Sequence, residues 1–473
     1  MATVDPRDVT AVLQPGFVGT DVPPWVRSAH VEGLASVCLY GDNVGPAGGV
    51  AEVCAALHRD LPGVLVAADE EGGDVTRLHY PGGSTSVGNA VLGRLDDPAL
   101  TRRAAAGIGA ELAALGIGLD LAPVVDVNSS PRNPVIGVRS FGNDPVAVGR
   151  HTAAWVEGLQ GTGIAACAKH FPGHGDAVAD SHHDLPRVDA SPEVLREREL
   201  VPFRAAVAAG VACVMTSHIV VPALDADRPA TFSPTVLRVL RDELGFDGVV
   251  VSDALDMAGA SAGTGIPEAA VRALAAGVDL LCLGSATGPE LFDAVRDAVT
   301  TAVADGRLPA ARLAEAATRV RALADRWASP APPASPPELP PVEAVAPALT
   351  LSADARAFAA DPAPLAVVQL ASGSNLAVGA VAWGPAALGA AVAEDEVPAG
   401  ARVAVVGRSV DAEHPARAVA DRLRARGHRV VLVECRWPRA AVDVVTWGAS
   451  PVLARALLTT LGAPAPRVPT VSP

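Results

Sequence analysis

Between positions 169 and 186 the chain reads KHFPGHGDAVADSHHDLP, and eight of these side chains can bind or move a proton: Lys169, His170, His174, Asp176, Asp180, His182, His183 and Asp184. Four of the chain's eleven histidines fall here. Its glycines and prolines exclude a helix, so the segment reads as a long loop leaving a strand, and long ordered loops usually carry function. Asp180 and His182 stand two residues apart, which lets the carboxylate hold the imidazole and stabilise its protonated form. Histidine and aspartate are also metal ligands. No HxH or HExxH pair presents two ligands on one element, and the ammonium of Lys169 would oppose a divalent ion, so no metal is expected. Lys169 is itself informative, because it is the one lysine among 37 basic residues. Arginine has a broad planar fork and lysine a compact ammonium, so a lone lysine marks a place where the fork does not fit.

A second reactive group ends the run GVVVSDALDM (248–257), where Asp253 is placed to act as a fixed nucleophile. A nucleophilic carboxylate facing a proton donor is the layout of a retaining glycosidase, here with an imidazole in place of the second carboxylic acid. Lys169 and His170 would then donate hydrogen bonds to sugar hydroxyls, and Asp69 would accept them.

The elements that must position these groups alternate through the first 330 residues. Strand candidates are 16–19, 36–41, 63–69, 118–126, 164–171, 213–219, 248–253 and 279–284. Amphipathic segments lie between them at 50–60, 97–115, 145–161, 192–210, 234–245 and 267–277, punctuated by Pro or Asp near the start and Gly near the end. Near-continuous apolar strands separated by helices mean parallel strands covered on both faces. Eight such units point to an α/β chain with a (β/α)8 TIM-type barrel, although a doubly wound open sheet fits the alternation equally well. The deciding observation is positional. Asp69, Asp126, Lys169 with His170, Ser217 with His218, and Asp253 all fall at C-terminal strand ends, which share one face of such a barrel. The barrel is assigned to 1–327. A Pro/Ala-rich spacer, 328–348, follows. Further strand candidates (365–370, 378–383, 402–406, 429–433, 442–447) and helical stretches (385–393, 415–426, 451–461) then suggest a smaller α/β sandwich over 349–473, in which no chemistry is apparent.

Composition narrows the class of function. The 473 residues are 50% apolar, 19% charged and 3% aromatic, with 52 acidic against 37 basic residues and a formal charge of −15. Such a chain offers neither the basic footprint nor the stacking rings of a nucleic-acid binder, and an anionic membrane would repel it. No window approaches the ~20 apolar residues of a membrane-spanning helix. The N-terminal stretch has no apolar run of signal-peptide length. The six cysteines are far apart without CxxC spacing, as buried thiols would be, so a cytoplasmic setting is expected. Nothing in the sequence points to a protein partner.

Over about residues 14–300 the chain resembles glycoside hydrolase family 3, and within it the β-N-acetylglucosaminidase branch. The resemblance rests on VAADEEGGDVTRL (66–78), APVVDVN (122–128), IGVRSFGNDP (136–145), KHFPGHGDAVADSH (169–182), TSHIVVPALD (216–225) and LGFDGVVVSDALDM (244–257). It implies a (β/α)8 barrel, retaining hydrolysis of terminal β-linked N-acetylglucosamine from chitin- or peptidoglycan-derived oligosaccharides, and no metal or organic cofactor. Position by position it makes Asp253 the nucleophile, His182 the acid/base and Asp180 its carboxylate partner. It makes Asp69, Arg77, Arg139, Lys169 and His170 the sugar-binding set, and His218, at a neighbouring strand end, is expected to bind the sugar with them. Glu70 stands where the family usually has Gln, and Asp74 where Arg is common. A phosphorylase using the same Asp/His pair is the alternative enzyme, since an imidazole tolerates an attacking phosphate better than a carboxylate would. A silent sugar-binding protein would have no need of a nucleophile beside a proton donor.

Overall fold

The computed structural model describes residues 5–44, 49–177, 185–261, 263–331, 342–372 and 377–464. Eight parallel strands open the chain: β1 (Leu13–Gln14), β2 (Ser36–Leu39), β3 (Leu65–Ala68), β4 (Leu119–Asp120), β5 (Ala165–Phe171), β6 (Cys213–Thr216), β7 (Val249–Val251) and β8 (Leu281–Cys282). Strands β2 to β7 are hydrogen-bonded in sequence order, and β1 pairs with β8. The two sheets join at both edges. A parallel bridge between Val251 and Leu280 ties β7 to β8, and Cys38 N donates to Pro15 O at 3.0 Å, tying β2 to β1. The barrel is therefore closed, which leaves no strand edge to protect.

Helices cover its outside. Val50–Asp60, Pro98–Ala114, Pro145–Gln160, Leu200–Ala208, Ile266–Ala276 and Pro289–Ala304 each follow a strand. Their starts are fixed locally: Asp97 accepts from Ala99 N and Leu100 N, Asp144 accepts from Ala147 N, and a proline sits in the first turn of both. Side chains in a strand alternate between its two faces. Leu65, Ala67, Leu119, Ala165, Cys167, Cys213, Met215, Val249 and Val251 accordingly form one interior cluster, while Val66, Ala68, Ala166, Val214 and Val250 pack outward against the helices. Many of the interior residues are small, as a narrow barrel requires. Helix Ala310–Trp327 closes the N-terminal end by adding Val320, Leu323 and Trp327 to the interior cluster.

A second sheet has β9 (Thr350–Leu351), β10 (Leu365–Gln369), β11 (Arg402–Gly407), β12 (Val430–Glu434) and β13 (Val444–Val445) in the order β9-β13-β12-β11-β10. All pairings are parallel except β9 with β13. Helix Pro415–Ala425 packs on this sheet, and Pro451–Thr460 shares an apolar cluster with Val367, Val406 and Val433 of its strands.

Four expectations are corrected. The candidate strand 16–19 is irregular chain and bend, and the first strand lies before it at Leu13–Gln14. The candidate strand 378–383 is turn and irregular chain, and 385–393 holds only a short 3-10 turn, Pro385–Leu388. Part of the expected spacer is ordered, because Val342–Val345 is helical and Val345 is fully buried. Among the described residues no helix is long and apolar enough to cross a membrane.

Candidate active site

Strand parity places the reactive groups. Residues 65 and 67 point into the barrel, so 69 points in just above them. The same step of two carries Cys167 to Lys169 and Val251 to Asp253. It also carries Cys38 to Tyr40, Leu119 to Leu121, Cys213 to Met215 and Leu280 to Cys282. All seven of these upper residues line one cavity of about 260 Å³ at the C-terminal mouth of the barrel. Glu71, Arg77, Arg139, His170, His174, Asp256 and Ser285 complete its polar lining.

The charges in this cavity are arranged as a chain. Lys169 Nζ lies 2.6 Å from Asp69 Oδ1 and 2.7 Å from Glu71 Oε1. Glu71 also accepts a two-pronged contact from Arg139, with Nε at 2.8 Å and Nη2 at 2.7 Å. Arg77 Nη2 stands 3.6 Å from the other oxygen of Asp69. Burial works against the charges of Glu71, Arg139 and Lys169, but their partners outweigh it. Arg139 and Lys169 hold the carboxyl of Glu71 well below the usual carboxylate range, and Asp69 and Glu71 hold Lys169 above the usual lysine value. Asp69 is the partly open member, with 16% of its side chain exposed, and it faces the cavity as an acceptor.

A second cluster fixes the histidines. Asp126, fully buried, accepts from His170 Nδ1 at 2.8 Å and from the backbone N–H groups of His170 and His174 at 3.2 and 2.7 Å. A carboxylate cannot donate, so Nδ1 carries the proton in that contact. The His174 ring packs edge-on against His170 at 6.1 Å, and burial lowers its pKa to about 4. It is therefore neutral in ordinary buffers.

His218, expected among the sugar-binding residues, does not line the cavity. It is fully buried, its Nε2 donates to Ala254 O at 3.0 Å and its Nδ1 meets Thr231 Oγ1 at 2.9 Å, so it braces the turn that follows Asp253. Asp253 itself accepts from Ala254 N at 2.8 Å through Oδ1. Asp180 and His182 lie outside the described residues, in 178–184.

The two charge changes also fall outside the cavity. Glu70 turns back into its own loop and accepts from Thr76 Oγ1, Arg77 N and Leu78 N at 2.8 to 3.0 Å. Asp74 accepts from Ala449 N at 2.7 Å, and its other oxygen lies 3.7 Å from Arg408 Nη2. Glu71 and Tyr40 were not singled out from sequence. The signal available for Glu71 was its position two residues beyond Asp69. Among the described residues no group of three or more His, Cys, Asp or Glu is arranged to hold a metal.

This arrangement suits a neutral, hydroxyl-rich ligand, with one carboxylate acceptor, several fixed cationic donors and a further carboxylate, Asp253, on the same cavity. The family description "Glycosyl hydrolase family 3 N terminal domain" matches residues 21–323. Beta-hexosaminidase A of Pseudoalteromonas piscicida is 38% identical over 271 residues, covering 52% of this chain and 45% of that protein. The present chain thus spans under half the length of that relative. Beta-hexosaminidase of Stenotrophomonas maltophilia is 37% identical over 293 residues, covering 60% of this chain and 85% of that protein. A solved glycoside hydrolase family 3 beta-N-acetylglucosaminidase from Paenibacillus sp. str. FPU-7 superposes with a TM-score of 0.84 at 32% identity, covering 98% of each chain.

Proposed function

The chain belongs to glycosyl hydrolase family 3, and from that premise we propose that it releases terminal β-linked N-acetylglucosamine by a two-step retaining displacement. It is a glycoside hydrolase, and its substrate is a small carbohydrate. The observation that carries the reading is the meeting of Asp69, Arg77, Arg139, Lys169, His170 and Asp253 on one cavity at the barrel mouth.

In this reading Asp69 accepts from sugar hydroxyls, while Lys169, His170 and the arginines donate to its oxygens. The carboxylate of Asp253 attacks the anomeric carbon as the bond to the leaving oxygen breaks. His182, protonated and paired with Asp180, gives its proton to that oxygen. Neutral His182 then takes a proton from water, whose oxygen attacks the anomeric carbon and frees Asp253. His218 acts on the backbone beside the nucleophile and does not contact the sugar. The proposed division is a catalytic barrel over 1–327 and an accessory unit over 349–473. A reducing, cytoplasmic setting is supported by six buried cysteines, none of them in a disulfide.

The first test is hydrolysis of chromogenic N-acetylglucosaminide, glucoside and xyloside side by side, with and without phosphate. The N-acetylglucosaminide should be preferred and phosphate should not accelerate its turnover; phosphate-dependent turnover would make the enzyme a phosphorylase. Asp253→Asn should lower kcat by about a thousandfold or more with the fold intact. Retention of more than about a tenth of wild-type activity, an effect of only ~1.4 kcal/mol, would remove Asp253 from the role. A mechanism-based fluorosugar should label the peptide carrying Asp253, at Asp253 and not at Asp256.

A further inference from the structure

We propose that residues 377–381, which belong to the second unit, form part of the sugar site: they hold the guanidinium of Arg77 and close the cavity wall beside it. The proposal rests on the reading of the cavity given above. Arg77 Nη2 donates to Ala377 O at 3.0 Å and stands 3.6 Å from Asp69 Oδ2, while Nη1 reaches Thr76 O only at 3.4 Å. The Arg77 side chain is 8% exposed, and its Nε has no hydrogen-bond partner among the described residues. The carbonyl of Ala377 is thus the group that sets where this fork points. Ala377 also lines the cavity itself, alongside Arg77 and Asp69.

A carbonyl can serve in this way only if its segment is held, and the barrel loop after β3 holds it. Ala380 N donates to Tyr80 Oη at 2.9 Å. Val378 and Val381 pack with Val75 and the Tyr80 ring in a small apolar cluster of their own. Gly379 adopts φ +70° and passes so close to the Tyr80 hydroxyl that a Cβ would collide with it. This docking explains why an apolar run with strand character is not a strand, because its partners are a loop and a tyrosine and not a neighbouring ladder. The same loop carries Asp69, Glu71 and Arg77. Attachment of the second unit and placement of the sugar-binding groups are therefore one structural event.

An arginine fixed in advance loses less side-chain entropy when it binds, so the effect belongs to binding more than to chemistry. Tyr80→Phe removes the hydroxyl that accepts from Ala380 and keeps the ring. It should raise KM for N-acetylglucosaminide about three- to tenfold with kcat within about twofold. Arg77→Lys should raise KM further, and the double variant should be no worse than Arg77→Lys, because the segment acts through Arg77. Gly379→Ala should behave like Tyr80→Phe in both backgrounds. Melting temperatures report the fold of every variant. Unchanged KM in folded Tyr80→Phe overturns the proposal, as do Tyr80 and Arg77 effects that multiply. Arg77→Lys with unchanged KM removes Arg77 from the site and the proposal with it. A wild type inert on the N-acetylglucosaminide overturns the functional reading first, and the proposal falls as its consequence.

Discussion

The ammonium of Lys169 lies within 2.7 Å of both Asp69 and Glu71, and only 2% of the side chain is exposed. Glu71 is already committed on its other side to the fork of Arg139. A second guanidinium at 169 would need room for a planar group where the slot holds a single nitrogen, and overpacking a buried site typically costs about 1–3 kcal/mol. Lys169→Arg should therefore lower kcat/KM for N-acetylglucosaminide nearly as much as Lys169→Ala, by about a hundredfold. Steady-state kinetics on the two purified variants decide it. Full activity in the arginine variant would show that the lone lysine answers to nothing in the site.

At the scale of elements, the helical stretch after β5 supports the loop that leaves the strand after Phe171. Its first turns widen into a π-turn, Leu195–Glu199, of a kind often found near functional sites. Glu199 is buried beneath Gly173, at φ +127°, where a Cβ would come within 2.6 Å of the Glu199 carboxyl. Arg198 donates to Glu199 at 2.6 Å and to Asp176 at 2.8 Å, and Ser129 donates to Asp176 at 3.1 Å, so the described start of the loop is anchored. Burial pushes the Glu199 carboxyl up from 4.5 to about 7, and Arg198 offsets it only in part. The folded protein then keeps a proton that the unfolded chain sheds above about pH 4.5. Stability falls as pH rises from there towards 7, by up to about 3 kcal/mol from this group. Glu199→Gln removes the titration. Urea midpoints at pH 5 and pH 8 should show the variant gaining on wild type at the higher pH, and a parallel loss in both proteins would place the carboxyl's ionisation elsewhere.

Across the whole molecule, the carboxyl edge of the second sheet faces the barrel loops. Arg408, just beyond β11, is 3% exposed, stacks on Trp383 at 4.3 Å and takes Asp74 as its charge partner. Asp74 also accepts from Ala449 N, so one barrel side chain satisfies two groups of the second unit. Asp74→Ala would take from buried Arg408 its ion-pair partner and from Ala449 N its acceptor. Losses of this kind cost about 3–5 kcal/mol. We expect a lower melting temperature, or one transition resolving into two as the units uncouple. The double variant Asp74→Ala/Arg408→Leu should recover much of the loss, because no buried charge has then lost its ion-pair partner. A single variant that melts like wild type would show that the units are held together elsewhere.

The sequence by itself determined the barrel and most of its mouth. Strand periodicity is local, so apolar runs at 63–69, 164–171 and 248–253 already place positions 69, 169 and 253 on one face once eight such strands close. Helix starts were equally legible, because Asp97 and Asp144 act within three residues of themselves. What the tertiary structure decided is which charges meet. Glu71 joins Lys169 on β5 to Arg139 on the loop after β4, and His218, at a strand end like the others, reaches the Ala254 carbonyl instead of the cavity. Glu70 and Asp74, which stand where the family usually has Gln and Arg, serve their own loop and the second unit. The segment 378–383 reads as a strand because its apolar pattern is right, yet its hydrogen-bond partner is Tyr80, 300 positions earlier in the chain. Periodicity fixes which way a side chain faces within its own element. The pairing of groups far apart in sequence depends on loop paths, and those are set only when the two units pack.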